Sequence, residues 1–258
     1  MPFSKDVLMG SGGQASGSSF YNHQIAHSLR FDRADGSYLS RTLGTPTDID
    51  KGTFSLWFKI SGSTGSDEMQ LLHTSDGGGI NWYFTNADVL SGSVASGGDA
   101  GSSAAAFRDT SSWYHLVIRV DTTESSNDDR VRVYKNGTQD TGYTASLSQN
   151  TDFKLNKSGN VLYIGHNTGA SINFDGYMAE IIFADGQSYA PSQFGETKNG
   201  IWIPKNPSGT TFGNNGFHLK FGDSSSLGTD SSGNSNNFSA TNIGADHQVI
   251  DTPTIGTG

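Results

Sequence analysis

The sequence has no cysteine among its 258 residues, which excludes a disulfide framework, a cysteine-ligated zinc site and a thiol nucleophile. It is also poor in charge. Asp, Glu, Lys and Arg make up 16%, against about 25% in an average globular chain. Serine, threonine, asparagine and 34 glycines fill the gap, a chemistry suited to turns and strand faces more than to helices. No apolar run approaches the roughly 20 residues of a membrane span. Met1 to Gly17 lacks a basic start followed by an apolar stretch, so no secretory signal is expected. Together with the missing cysteine, this points to synthesis in a reducing cytoplasm. The net charge is −9 and no basic stripe is present, which argues against a nucleic-acid partner. A Gly-x-Ser-x-Gly elbow, a His-Glu-x-x-His pair and a phosphate-binding Gly-Lys-Ser/Thr loop are missing as well. The chain is not expected to be an enzyme.

What is present is a series of short alternating segments. In Phe54–Ile60, Phe54, Leu56, Phe58 and Ile60 share one face. Trp113–Val120 alternates in the same way, and Arg130–Lys135 runs into Asn136-Gly137, a type I′ hairpin signal. Val161–Gly165, Tyr177–Phe183 and Phe217–Phe221 read as further strands, and Pro191–Phe194 as a single helical turn. The expected fold is all-β: a two-sheet antiparallel jelly-roll sandwich with an N-terminal extended arm. Residues 1–26 form that Gly/Ser-rich arm, 27–250 the sandwich and 251–258 a tail. Order in such an arm needs something to tie it down, either packing along the domain or an anchor to a partner. His23 and His27 read as surface histidines without a metal. His115 reads as a packed or hydrogen-bonded residue, and Glu180 as a partly exposed strand residue. Trp57 and Trp113 are expected in the core. The sequons at Asn136, Asn156 and Asn237 read as chance in an Asn/Ser/Thr-rich chain.

Several segments resemble, in order, the motifs of laminin-G-like, concanavalin A-like lectin domains. They are Leu29–Leu39, Phe54–Lys59, Trp113–Val117, Val133–Gly137, Leu162–Gly165 and Phe174–Ile181. Phe217–Phe238, with Asp230 to Asn237, resembles the segment that usually opens such domains; placed last, it implies a circular permutation whose closing strand comes from 217–238. Asp175–Gln187, Ser192–Glu196 and Gly200–Lys205 are similar to laminin-G-like proteins of marine bacteriophages.

That resemblance implies a non-enzymatic virion surface protein, a tail fibre or capsid decoration, made in the host bacterial cytoplasm. Its arm would bind other virion proteins or sister subunits in a homo-oligomer, with a trimer expected, and the domain would hold cell-surface glycans. The alternatives are a stand-alone carbohydrate-binding module and a purely structural capsid cement protein. Glycosidases of this fold carry Glu-x-Asp-x-x-Glu on one strand, whereas Glu180 is followed two residues later by Ile182. The resemblance also implies calcium, an oxygen-seeking cation, with Asp32, Asp35 and Asp175 as matching ligands; Ala179 stands where the family has a further aspartate. The acidic loops Asp121–Asp129 and Asp223–Asp230 read as Asx turns. Asn81, Trp82, Tyr83 and Trp202 are the expected glycan-binding residues, since sugar C–H faces stack on aromatic rings while hydroxyls bond to asparagine.

Overall fold

A period of two puts alternate side chains on opposite faces of a strand. The computed structural model of the chain follows that rule closely: Phe54, Leu56, Phe58 and Ile60 enter the main core, as do Tyr114, Leu116, Ile118 and Val120. The structure describes residues 20–62, 68–75, 81–94, 101–168 and 172–254. Expectations for 1–19, 77–80 and 255–258 lie outside the described residues.

In chain order the strands are β1 (Ser28–Phe31), β2 (Tyr38–Thr42), β3 (Lys51–Ile60), β4 (Met69–Thr74), β5 (Asn81–Phe84), β6 (Val89–Gly92), β7 (Gly101–Ala106), β8 (Tyr114–Asp121), β9 (Val131–Lys135) and β10 (Thr138–Gln139). They continue as β11 (Val161–Ile164), β12 (His166–Asn167), β13 (Ile172–Asn173), β14 (Gly176–Asp185), β15 (Gly195–Lys198), β16 (Ile201–Pro204), β17 (Phe217–Leu219), β18 (Ser239–Thr241) and β19 (Gln248–Val249). Helix among the described residues amounts to one turn, Asn127–Arg130, and three 3-10 turns. Arg130, expected in the strand, belongs to that turn.

Two antiparallel sheets form a sandwich. One is ordered β10-β9-β8-β3-β14-β1-β19, with β17 also on β14; the other is β18-β2-β11-β4-β5-β6-β7. Their inner faces meet in one core that includes Phe31, Phe58, Trp82, Leu162 and Phe217. Each such side chain contributes roughly 1.5–3 kcal/mol by leaving water. Along the open side of the sandwich, where edge strands β7 and β10 face each other, Asp140 accepts hydrogen bonds from the Ser103 hydroxyl and from the amides of Ala104 and Ala105.

Strand β14 organises the larger sheet. Strand β3 pairs along one side of it. On the other side β1 and β17 lie end to end, Leu29 opposite Met178 and Ile181 opposite Leu219. Between them the register slips in a bulge after Ala179, and Glu180 takes φ +48°, a left-handed conformation uncommon for a non-glycine residue.

The outer face of this sheet is covered rather than open to water. The β15–β16 hairpin lies over it, and so does the start of the described chain. The amide of Ile25 donates to the Thr254 hydroxyl at 2.9 Å, which in turn donates to the Ile25 carbonyl at 3.1 Å. Ile25, Trp57 and Ala179 form a separate buried cluster with Trp113 and Trp202 at its margin. Residues 20–26, expected within the arm, are therefore docked on the domain. Trp57 is buried in this second cluster, as a core residue was expected to be, and Trp113 is only partly buried at its margin; both are on the outer face because they share parity with Ser55 and His115, not with Phe54 and Tyr114.

Candidate functional site

The outer face of the seven-stranded sheet has a different character. Strand register aligns Ser40 of β2, Tyr163 of β11, His73 of β4 and Asn81 of β5 in one row. A second row runs from Gln70 through Tyr83 and Ser91 to Ser102. Side chains opposite one another in register share a face. Their inward neighbours Leu39, Leu72, Trp82, Phe84 and Leu162 fill the core, so these rows point away from it. Tyr38, Tyr83 and Tyr163 are half-buried. Their hydroxyls make no hydrogen bond to a described residue.

Short strands β12 and β13 close over part of this face. His166 stacks on Tyr38 with ring centroids 4.5 Å apart, and its Nδ1 meets Asn173 Oδ1 at 2.6 Å. Asn167 donates to Gln70 Oε1 and to Asn81 Oδ1, both at 3.2 Å. His73 engages Asn81 Oδ1 at 2.8 Å through Nδ1 and Thr168 Oγ1 at 3.2 Å through Nε2. Asn81 Oδ1 is thus shared by two partners, while its amide NH2 stays available as a donor. The result is a rigid polar network beside half-buried tyrosine rings whose hydroxyls are uncommitted. An aromatic body with a polar tip is suited to a ligand that has apolar and hydroxylated faces.

The structure separates the expected glycan-binding residues. Asn81 and Tyr83 lie on this outward face. Trp82, between them, turns the other way: it is fully buried and stacks on Tyr143 at 5.5 Å. Three consecutive strand residues cannot share a face, so Trp82 is corrected to a core residue. Trp202 is elsewhere, half-buried on the outer face of the larger sheet, where its Nε1 donates to His115 Nδ1 at 3.0 Å. It therefore does not share a face with Asn81 and Tyr83. Tyr163, Tyr38, His73 and His166 were missed; the alternation of Val161–Ile164 placed Tyr163 outward, but its cross-strand neighbours depend on register.

The expected calcium ligands do not converge. Asp32 pairs with Arg30 at 2.8 Å and caps the amide of Ala34 at 2.9 Å. Burial, then the nearby charge of Asp32, raises the Asp175 carboxyl above its usual range, with Arg33 and Arg30 opposing. Asp35 is exposed. Among the described residues no three His, Asp or Glu side chains are grouped so as to hold a metal ion. Of the set Asp32, Asp35 and Asp175, the first and last are near enough for their charges to interact. In the acidic loops, Asp121 accepts from the amide of Thr123 and Asp223 from that of Ser225, the Asx turns expected.

Glu180 and His23 also differ from expectation. Glu180 is buried in the β14 bulge, with Oε2 2.7 Å from His218 Nε2 and Oε1 3.4 Å from His23 Nε2. Burial alone would raise its carboxyl, but the hydrogen bond with His218 and the nearby His23 outweigh that and hold it at about 2. Asp185, at the end of the same strand, is fully buried and caps the amides of Thr47 and Asn215. Neither carboxylate opens onto a cleft with a second one beside it.

Residues 32–186 match the family described as the concanavalin A-like lectin/glucanases superfamily. The chain belongs to this superfamily. Among solved structures, this superfamily member resembles a putative carbohydrate binding protein from Bacteroides ovatus with a TM-score of 0.59 and 15% identity, over 85% of this chain and 59% of that one. It therefore spans about three fifths of the length of that protein. It also resembles a heptameric SAP-like pentraxin from Limulus polyphemus (TM-score 0.48, 14% identity, 66% of this chain and 81% of that one). A third likeness is domain 4 of an extracellular arabinanase from Geobacillus stearothermophilus in complex with arabinotriose (0.47, 17%, 67% and 77%). No curated protein matches the chain.

Proposed function

We propose that this chain is a non-enzymatic, lectin-like protein that binds carbohydrate on the outer face of its seven-stranded sheet. The observation that carries the reading is the juxtaposition of Tyr163 and Tyr83, with uncommitted hydroxyls, beside the Asn81–His73–Asn167 network. Ring faces would take the C–H side of a pyranose, while the Asn81 amide and the tyrosine hydroxyls would take its hydroxyls. The non-catalytic part of the reading is supported by Glu180 and Asp185, which are buried and committed to protein partners.

We place the protein on a bacteriophage particle, as a tail fibre or capsid decoration, on the strength of the Asp175–Gln187, Ser192–Glu196 and Gly200–Lys205 motifs. Residues 1–19 act as the particle anchor and the chain assembles as a homo-oligomer, a trimer, in which repetition compensates for weak single sites.

A glycan array probed with purified wild type and with Tyr163→Ala and Tyr83→Ala, each with calcium and with EDTA, tests the sugar reading. Reproducible binding that both variants lose supports it. Binding that both variants keep moves the site off this face. Deleting 1–19, and not 1–26, tests the anchor, because the longer deletion also removes Ile25 and His23 from the folded domain. Particles that still incorporate the shortened protein would sink the anchor.

A further inference from the structure

Charge is distributed unequally between the two sheets. The larger sheet carries Arg30 on β1, Lys51 and Lys59 on β3, Arg119 and Asp121 on β8, Arg132 and Lys135 on β9, and Glu180 and Asp185 on β14. In the seven strands of the other sheet the single charged residue is Arg41. Arg41 does not reach the outer face. It is opposite Leu162, whose side chain is in the core, and its guanidinium is bonded to Asn236 and to the carbonyl of Asn215.

Two of the cations that flank these strands are committed elsewhere, while Lys157, ahead of β11, is exposed at the end of the sheet. Arg33 donates to the Glu68 carbonyl at 3.0 Å, and Arg108 pairs with Asp88 at 3.8 Å and donates to the Ala87 carbonyl. In sequence, residues 61–68, 75–80 and 93–100, between these strands, contain Asp67, Glu68, Asp76 and Asp99 and no lysine or arginine. A sulfate, phosphate or carboxylate on a ligand would therefore lose its hydration without gaining a counter-charge, at a cost no hydroxyl faces. The net charge of −9 adds long-range repulsion.

Resting on the carbohydrate reading above, we infer that this face selects neutral, hydroxyl-rich glycans and rejects sialylated, uronic-acid-containing and sulfated ones. Specificity comes from the side chains on the sheet, Tyr163, Tyr83 and Asn81 above all, and binding is nearly independent of ionic strength.

The test is an array of neutral oligosaccharides paired with their sialylated and sulfated counterparts, read at about 0.05 and 0.5 M salt. It uses the full chain and a Ser102→Lys variant, which adds a cation at the edge of the face. The expected result is binding of neutral members only, with less than about a twofold change between the two salt conditions. Ser102→Lys should then acquire binding of sulfated probes that salt removes. Sulfated or sialylated members bound as well as neutral ones, with affinity that falls as salt rises, overturn the selectivity and leave the sugar site standing. No glycan of either kind bound overturns this inference together with the carbohydrate reading.

Discussion

The indole of Trp202 donates to Nδ1 of His115 at 3.0 Å, which makes Nδ1 an acceptor and puts the imidazole proton on Nε2, from where it reaches the Ser55 hydroxyl at 2.8 Å. The imidazole is stacked on Trp57 with centroids 4.7 Å apart. One neutral, fully buried histidine thus ties the β15–β16 hairpin to the outer face of the larger sheet. Burial pulls its titration down to about 3.

Trp202→Phe keeps the ring but removes the donor, leaving a buried acceptor unpaired. The expected loss is about 1–3 kcal/mol, read by urea unfolding at pH 7.

His115 also makes stability depend on pH. Its folded-state titration near 3 is below the unfolded value of 6.5, so between the two the unfolded chain binds more protons and stability rises with pH. The contribution is fully present above 6.5 and is lost as pH falls toward 3. His115→Gln should flatten the unfolding free energy between pH 6.5 and 4; an unchanged slope would contradict this assignment.

Glu180 acts in the same direction over a lower window. Its carboxyl, at about 2 folded against 4.5 unfolded, contributes stability above 4.5 that is lost as pH falls toward 2. Glu180→Gln removes the charge-assisted hydrogen bond with His218 and the charge that faces His23, at a cost of about 1.5–3 kcal/mol. Hydrogen exchange of residues 20–26 should quicken in that variant, because His23 links that segment to the bulge.

Gly137→Ala should cost about 1–3 kcal/mol for two independent reasons. Gly137 has φ +78° in the hairpin turn, and a Cβ there would come within 2.5 Å of the Trp202 ring. The double variant Gly137→Ala/Trp202→Ala should lose less than the sum of the two single variants, a coupling read in a double-mutant cycle.

Trp82→Ala should cost about 3–5 kcal/mol as a core truncation. Tyr163→Ala should stay within about 1 kcal/mol of wild type while losing sugar binding. A Tyr163 variant that unfolds as readily as the Trp82 variant would mean that Tyr163 is structural.

Much of the fold was legible one strand at a time. Alternation in Phe54–Ile60 and Trp113–Val120, the Asn136-Gly137 turn and the ordered motifs from Leu29 to Ile181 sufficed for a two-sheet sandwich, because a period of two and a turn dipeptide are local properties. Half of the candidate site was legible in the same way: Asn81 and Tyr83 share parity, and that parity excludes Trp82. The other half was not. Tyr163 meets His73 only because β11 pairs with β4 in a particular register, and β12 brings Asn167 onto Asn81 across 86 residues of chain. Both are long-range choices that no local pattern encodes.

The same division holds for charge and for the histidines. That the strands of one sheet are almost free of charge is written in their residues, but which of their faces is open, and that Arg41 turns inward, is decided by how the two sheets stack. That His115 alternates with apolar neighbours is local; that it is neutral, and which nitrogen carries its proton, follows from Trp202 arriving 87 residues later. Local sequence selects strand, turn and face. Only the packed structure decides which side chains lose water together, and desolvation sets both the titration of buried groups and the chemistry a surface can recognise.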